Sequence, residues 1–137
     1  MADVIDEAAL CAAARAAARH AYAPYSRFPV GAAVLGARGI HVGANVENAS
    51  YPLGLCAERS ALARARVEGD TEVRAIAVAC IAADPAAGPG PLLPCGACRQ
   101  WMAELATAEL PILVCTADRS FLRFTLEQLL PHPFRLT

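Results

Sequence analysis

A chain of 137 residues with a formal net charge of −1 and a hydrophobic fraction of 56% suits one domain, here residues 1–137. The even balance of basic and acidic residues gives no basic stripe, which disfavours a nucleic acid polymer as the partner. The longest apolar run, residues 75–83, is far shorter than the roughly 20 residues that cross a bilayer, so we expect no membrane span.

The first half of the chain predicts a helix followed by a β-hairpin. Residues 1–6 lack the basic and apolar regions of a secretory signal, so we expect a cytoplasmic location. Asp6 can cap a helix over about residues 7–22, which is rich in alanine, a strong helix former. Residues 29–35 and 40–43 are short apolar runs on either side of a turn bounded by glycines, a pattern typical of paired strands.

The second half alternates helices with apolar strands. Helices are predicted over residues 56–67 and 95–105 and after Thr125, where Gln128 completes a capping box. Strands are predicted over residues 73–81, 111–116 and 121–124, and a loop rich in Pro and Gly covers residues 84–94. The order predicts an α/β fold: a single three-layer domain with a mixed β-sheet of about five strands covered by helices.

Three cysteines and one glutamate carry the chemistry of the sequence. Cys56, Cys95 and Cys98 lie at the starts of two predicted helices, and Glu58 follows the first of them by two residues. A structural zinc ion normally has four protein ligands, whereas a catalytic one has three and keeps a position open for water or substrate. The pattern therefore predicts a catalytic Zn²⁺ site with a carboxylate beside it.

The chemistry expected of such a site is hydrolysis with proton transfer. Zinc lowers the pKa of a bound water, and Glu58 can take the proton and pass it to a substrate nitrogen. Three thiolates leave a divalent ion with a net charge of −1, so a nearby cation should draw charge away. Arg59 is the candidate for this charge-tuning role, and an exposed position on the helix is its alternative.

Two other interpretations of the motif stay open at this point. Cys80 or Cys115 could supply a fourth ligand and close a structural zinc site, although both lie in predicted buried strands where cysteine behaves as a small hydrophobe. A non-catalytic, zinc-stabilised binding domain would keep the three thiolates and need no carboxylate at Glu58. An RNA or DNA editor is disfavoured because the chain lacks a basic surface.

At these residues the sequence resembles the small cytidine deaminases, which are homotetrameric zinc enzymes of pyrimidine salvage. The resemblance covers nearly the whole chain and rests on four motifs in the family order. They are YSRFPVGA at residues 25–32, NVENASY at residues 45–51, CAER at residues 56–59 and PCGACRQ at residues 94–100.

The resemblance implies roles for individual residues. Cys56, Cys95 and Cys98 would hold the zinc ion and Glu58 would be the proton shuttle. Asn45 and Glu47 would bind the ribose hydroxyls, and the carboxylate would also repel a 5′-phosphate, which favours a nucleoside over a nucleotide. The remaining substrate-binding candidates are Phe28 against the pyrimidine, the backbone N–H of Ala57, Tyr51, and Phe134, which would reach the active site of a neighbouring subunit.

The activity that the resemblance implies is hydrolysis of cytidine, with deoxycytidine as a second expected substrate, to the uridine product and ammonia. The partner is then a small nucleoside, and the expected assembly is a homo-oligomer, a tetramer by resemblance. The nearest alternative is a deaminase of a modified nucleoside such as a blasticidin-type substrate, which has the same cysteine and glutamate pattern.

Overall fold

A five-stranded mixed sheet organises the computed structural model, which describes residues 4–136. The strands are β1 (Val30–Gly36), β2 (Gly39–Ala44), β3 (Val73–Cys80), β4 (Pro111–Cys115) and β5 (Phe121–Thr125). The helices are α1 (Glu7–Ala18), α2 (Ala57–Val67), α3 (Gly96–Leu105) and α4 (Leu126–Leu129). The strand order is β2-β1-β3-β4-β5, with β3 and β4 parallel and the other neighbours antiparallel, so the predicted mixed α/β sheet is confirmed.

Side chains alternate between the two faces of the sheet and build one apolar cluster on each. Ala33, Ala75 and Ala77 pack with α1, while Ala32 and Ile76 pack with α2 and α3. Gly31 in β1 lets α1 lie close to the sheet, because a Cβ at this position would stand only 1.9 Å from the backbone oxygen of Ala14 in that helix. The result is the three-layer arrangement expected from the sequence.

The first helix is shorter than predicted. It ends at Ala18, although the alanine-rich pattern predicted a helix to residue 22. Tyr22 instead forms a parallel bridge with Val46, and its N–H donates to the carbonyl of Asn45 at 2.9 Å. Pro24, two residues further on, also cannot continue a helix. The tertiary pairing therefore replaces a last turn that local propensity alone would favour.

The other predicted elements agree with the structure to within one or two residues. Cys56 and Cys95 are N-cap residues and not the first helical ones, since both have extended backbone. Asp6 caps α1 by accepting from the N–H of Ala9 at 3.0 Å. The capping box of Thr125 and Gln128 is present at α4. Within residues 4–136 no helix is long and apolar enough to cross a membrane.

A buried carboxylate ties the β1–β2 hairpin to the end of α2. Asp70, which is 1% exposed, accepts hydrogen bonds from the N–H groups of Ala37 and Arg38, at 3.1 and 2.9 Å. Its Oδ2 also lies 2.9 Å from Nε2 of the buried His41. The hydrogen bond from His41, followed by those from the backbone, lowers the pKa of Asp70 to about 2. The sequence motifs gave no indication of this cluster.

Candidate active site

Three thiols meet where the N-termini of α2 and α3 converge. Cys56 caps α2, Cys95 caps α3 and Cys98 lies in the first turn of α3. Their Sγ atoms all lie within 4.8 Å of one another. The Cys56 to Cys95 distance is 3.8 Å and the Cys95 to Cys98 distance is 3.5 Å. The structure thus brings together the three residues predicted as metal ligands.

The spacing of the sulfur atoms fits a zinc ion. Tetrahedral coordination with Zn–S bonds of about 2.3 Å requires ligand sulfurs ~3.8 Å apart. Unrelated thiols would have no reason to adopt that triangle, and helix N-termini additionally stabilise thiolates. Within residues 4–136 the group contains three ligand residues, and neither Cys80 nor Cys115 belongs to it. The arrangement therefore matches an open site and does not support the closed structural alternative.

Glu58 is buried beside this cluster. It belongs to the first turn of α2 and is 5% exposed. Desolvation raises the pKa of its carboxyl to about 7, and the negative charge of Cys56 acts in the same direction. Carboxyl groups are rarely buried without a partner, and this one lies next to three sulfurs that could hold a metal ion, an environment suited to proton transfer.

Arg59 turns back toward the first thiol. Its guanidinium donates from Nη2 to Sγ of Cys56 and to the carbonyl of Gly54, both at 3.3 Å. The side chain is half-buried, so the exposed position considered as the alternative is wrong. Hydrogen bonds from the Cys98 thiol and from Arg59 lower the pKa of Cys56. The structure therefore places the positive charge of Arg59 against the thiol of Cys56.

Asn45 and Glu47 hold the backbone that carries Phe28. Asn45 accepts from the N–H of Val30 at 2.8 Å and donates to the carbonyl of Phe28 at 3.0 Å. Glu47 Oε1 accepts from the N–H groups of Tyr25 and Ser26 at 3.0 and 3.1 Å, and Oε2 accepts from the Ser26 hydroxyl. Both candidate sugar-binding side chains thus also build the loop around the candidate base-binding aromatic.

The sequence motifs did not single out Ser26, although its hydroxyl links the candidates Glu47 and Phe28. Its Oγ donates to Glu47 and accepts from the N–H of Phe28 at 3.0 Å. A serine hydroxyl often accepts a hydrogen bond from the backbone N–H two residues later in a turn. This local pattern could have identified Ser26 from the sequence. Arg27 between them has φ of 56°, an unusual left-handed conformation for an arginine, so this turn is sharply constrained.

The other candidate residues differ in accessibility. Ala57 is fully buried at the start of α2, and Phe28 is half-buried. Tyr51 and Phe134 are 91% and 69% exposed, so neither is enclosed by its own chain. The tail at Phe134 is nevertheless fixed, because the side chain of Gln100 bonds both its carbonyl and its N–H, at 2.9 and 3.2 Å.

Comparison with known proteins gives consistent results. A family model described as the cytidine and deoxycytidylate deaminase zinc-binding region matches residues 5–114. A cytidine deaminase of Halalkalibacterium halodurans is 48% identical over 115 residues, which is 83% of this chain and 83% of the relative. The crystal structure of cytidine deaminase from Burkholderia pseudomallei aligns with a TM-score of 0.84 and 43% identity, covering 95% of this chain and 100% of the other. Cytidine deaminase from Mycobacterium tuberculosis aligns with a TM-score of 0.79 and 38% identity, covering 97% and 100%.

Proposed function

The chain belongs to the cytidine and deoxycytidylate deaminase family, and on that premise we propose that it hydrolyses cytidine to uridine and ammonia. The observation that carries the proposal is the triangle of Cys56, Cys95 and Cys98 with the buried Glu58 beside it. In the overall reaction water adds to C4 of the cytosine ring, the C4–N bond breaks, and a carbonyl replaces the amino group.

The side chains divide this reaction between them. A zinc ion held by Cys56, Cys95 and Cys98 would act as a Lewis acid that makes the attacking water more acidic. Glu58 takes a proton from that water and delivers it to the ring nitrogen N3, and it then passes a second proton to the departing amine. Arg59 offsets part of the negative charge of the thiolates through its contact with Cys56.

The hydrogen bonds of the sugar-binding candidates leave positions on both side chains for the sugar of a nucleoside. A carboxylate offers about four acceptor positions, and three bonds within the described residues already end on Glu47. The side-chain oxygen of Asn45 accepts from the backbone N–H of Val30, and one of its two side-chain N–H groups donates to the carbonyl of Phe28. Asn45 keeps one N–H and one acceptor position, and Glu47 keeps one acceptor position, so together they can bind one or two sugar hydroxyls. Deoxycytidine, which keeps one ring hydroxyl, therefore fits as a second substrate.

The remaining candidates complete the substrate pocket. Phe28 would pack against the pyrimidine, and the backbone N–H of Ala57, the first residue of α2, has no acceptor within its own helix and can contact the base. Glu47 at the sugar would repel a 5′-phosphate, which favours nucleosides. Tyr51 and Phe134 are exposed aromatic side chains suited to contact a second subunit. A homotetramer, a cytoplasmic location and a role in pyrimidine salvage are parts of the same proposal.

Replacement of Glu58 by Gln tests the function directly. The change keeps the shape of the side chain but removes the proton carrier, so we expect kcat for cytidine to fall by about 100-fold or more while the zinc content is unchanged. Uridine formation and zinc content are measured on the same samples. Wild-type protein with zinc but without turnover of cytidine contradicts the proposal. Activity on a modified cytosine nucleoside would then indicate the alternative substrate, and inactivity on both would indicate a zinc-stabilised binding domain.

A further inference from the structure

The hydroxyl of Ser26 is held in one orientation. Its Oγ accepts the N–H of Phe28 at 3.0 Å, which directs its own proton away from that group. The proton points to Glu47 Oε2, which accepts a hydrogen bond from it. The hydroxyl of Ser26 therefore both donates and accepts a hydrogen bond. Its bond to Glu47 joins the loop before β1 to the segment after β2.

The same contact fixes the Glu47 carboxylate. The N–H groups of Tyr25 and Ser26 hold Oε1, while the Ser26 hydroxyl holds Oε2. Since bonds reach both oxygens, the plane of the carboxylate cannot rotate without breaking one of them. The hydrogen bond from Ser26 is also the main reason why the pKa of Glu47 is lowered, which keeps the group an acceptor.

We propose that Ser26 is a positioning residue that aims the acceptor oxygen of Glu47 at a sugar hydroxyl of the substrate. This inference rests on the proposed function. Ser26 itself need not touch the nucleoside, because its effect passes through the carboxylate. A preoriented acceptor discriminates between substrates with and without the hydroxyl, since a bound substrate without it leaves the acceptor position of Glu47 unpaired.

The test compares Ser26→Ala with wild type on two ligands. The steady-state constants are measured with cytidine, and 2′,3′-dideoxycytidine, which lacks both ring hydroxyls, is measured as a competitive inhibitor. We expect KM for cytidine to rise about tenfold in the variant with kcat within about threefold, a change equal to the loss of one hydrogen bond to a charged group. The inhibition constant of the dideoxynucleoside should change much less, because that ligand makes no bond to Glu47.

Two controls separate positioning from folding. Ser26→Thr keeps the hydroxyl and should restore the wild-type preference for cytidine. Melting temperature and zinc content show whether Ser26→Ala is intact. An equal loss of affinity for both ligands, which a distorted Phe28 would produce, overturns the inference, and so does an unchanged KM. Wild-type protein that does not convert cytidine contradicts the proposed function itself, whereas normal wild-type turnover with an unaltered preference in Ser26→Ala contradicts only the role of Ser26.

Discussion

Replacing Gly43 by Ala should damage the active site through the backbone of α2. A Cβ at Gly43 would lie 2.4 Å from the nitrogen of Ala61 and 2.7 Å from the carbonyl oxygen of Ala57, whereas ordinary contacts begin at 3.4 Å. Helix and strand must therefore separate by about 1 Å, an overpacking that costs about 1–3 kcal/mol. Because α2 carries Cys56 and Glu58, a shift of that size should also lower kcat by about 100-fold.

A destabilised variant on the other face of the sheet provides the control. Leu10 is a buried residue of α1, and Leu10→Ala should cost about 2–5 kcal/mol without moving α2. Urea denaturation measures the stability of both variants, and kcat is expressed per folded, zinc-containing chain. We expect Gly43→Ala to lose activity and Leu10→Ala to keep it. Wild-type kcat in Gly43→Ala, or a similar loss in both variants, would refute the link between helix position and catalysis.

Three further predictions concern charge and metal. Arg59→Met removes the cation that contacts Cys56 and should lower kcat or zinc affinity by about 10- to 100-fold, measured by kinetics and chelator competition. The pKa of Asp70 is about 2 in the fold against a usual 3.8, so its stabilising effect is complete above pH 3.8 and is lost as the pH falls through about 2. Urea midpoints should therefore depend less on pH in this range in Asp70→Asn than in wild type. Removal of zinc should lower the melting temperature, and Zn²⁺ but not Mg²⁺ should restore it, because thiolates bind the softer ion.

The metal-binding part of the candidate site, Cys56, Glu58, Cys95 and Cys98, is predictable because its residues lie close together in sequence at the starts of two helices. Cys95 and Cys98 are three residues apart at the start of α3, which puts both side chains on one side of its first turn, and Glu58 follows Cys56 by two residues at the start of α2. Apolar runs likewise predict β3 and β4 to within two residues. These features need no knowledge of the rest of the fold.

The substrate-binding part, residues 25–30 with Asn45 and Glu47, depends on hydrogen bonds between residues far apart in sequence, which no local pattern predicts. Tyr22 leaves the predicted helix because its backbone bonds to the carbonyl of Asn45 and the N–H of Glu47. Ser26 has its hydrogen-bond partner only because the fold brings Glu47 next to it. His41 has its partner only because Asp70 lies against the β1–β2 hairpin. In each case the residue type permits several local structures, and the tertiary contact selects one. Motif resemblance named Asn45 and Glu47, but it did not indicate that their hydrogen bonds also build the loop.

Strand register explains how the two parts meet. In the sheet Val30 pairs with Cys80, and Gly31 pairs with Ala44, so the start of β1 and the end of β2 lie at the carboxyl end of β3. The N-termini of α2 and α3 reach the same edge, because α2 leads into the start of β3 and α3 follows its end. A slip of β1 by two residues would keep every side chain on its own face of the sheet. It would nevertheless move the loop before β1, which carries Ser26 and Phe28, by about 7 Å. The register of β1 on β3 is therefore as much a condition for catalysis as the three thiols.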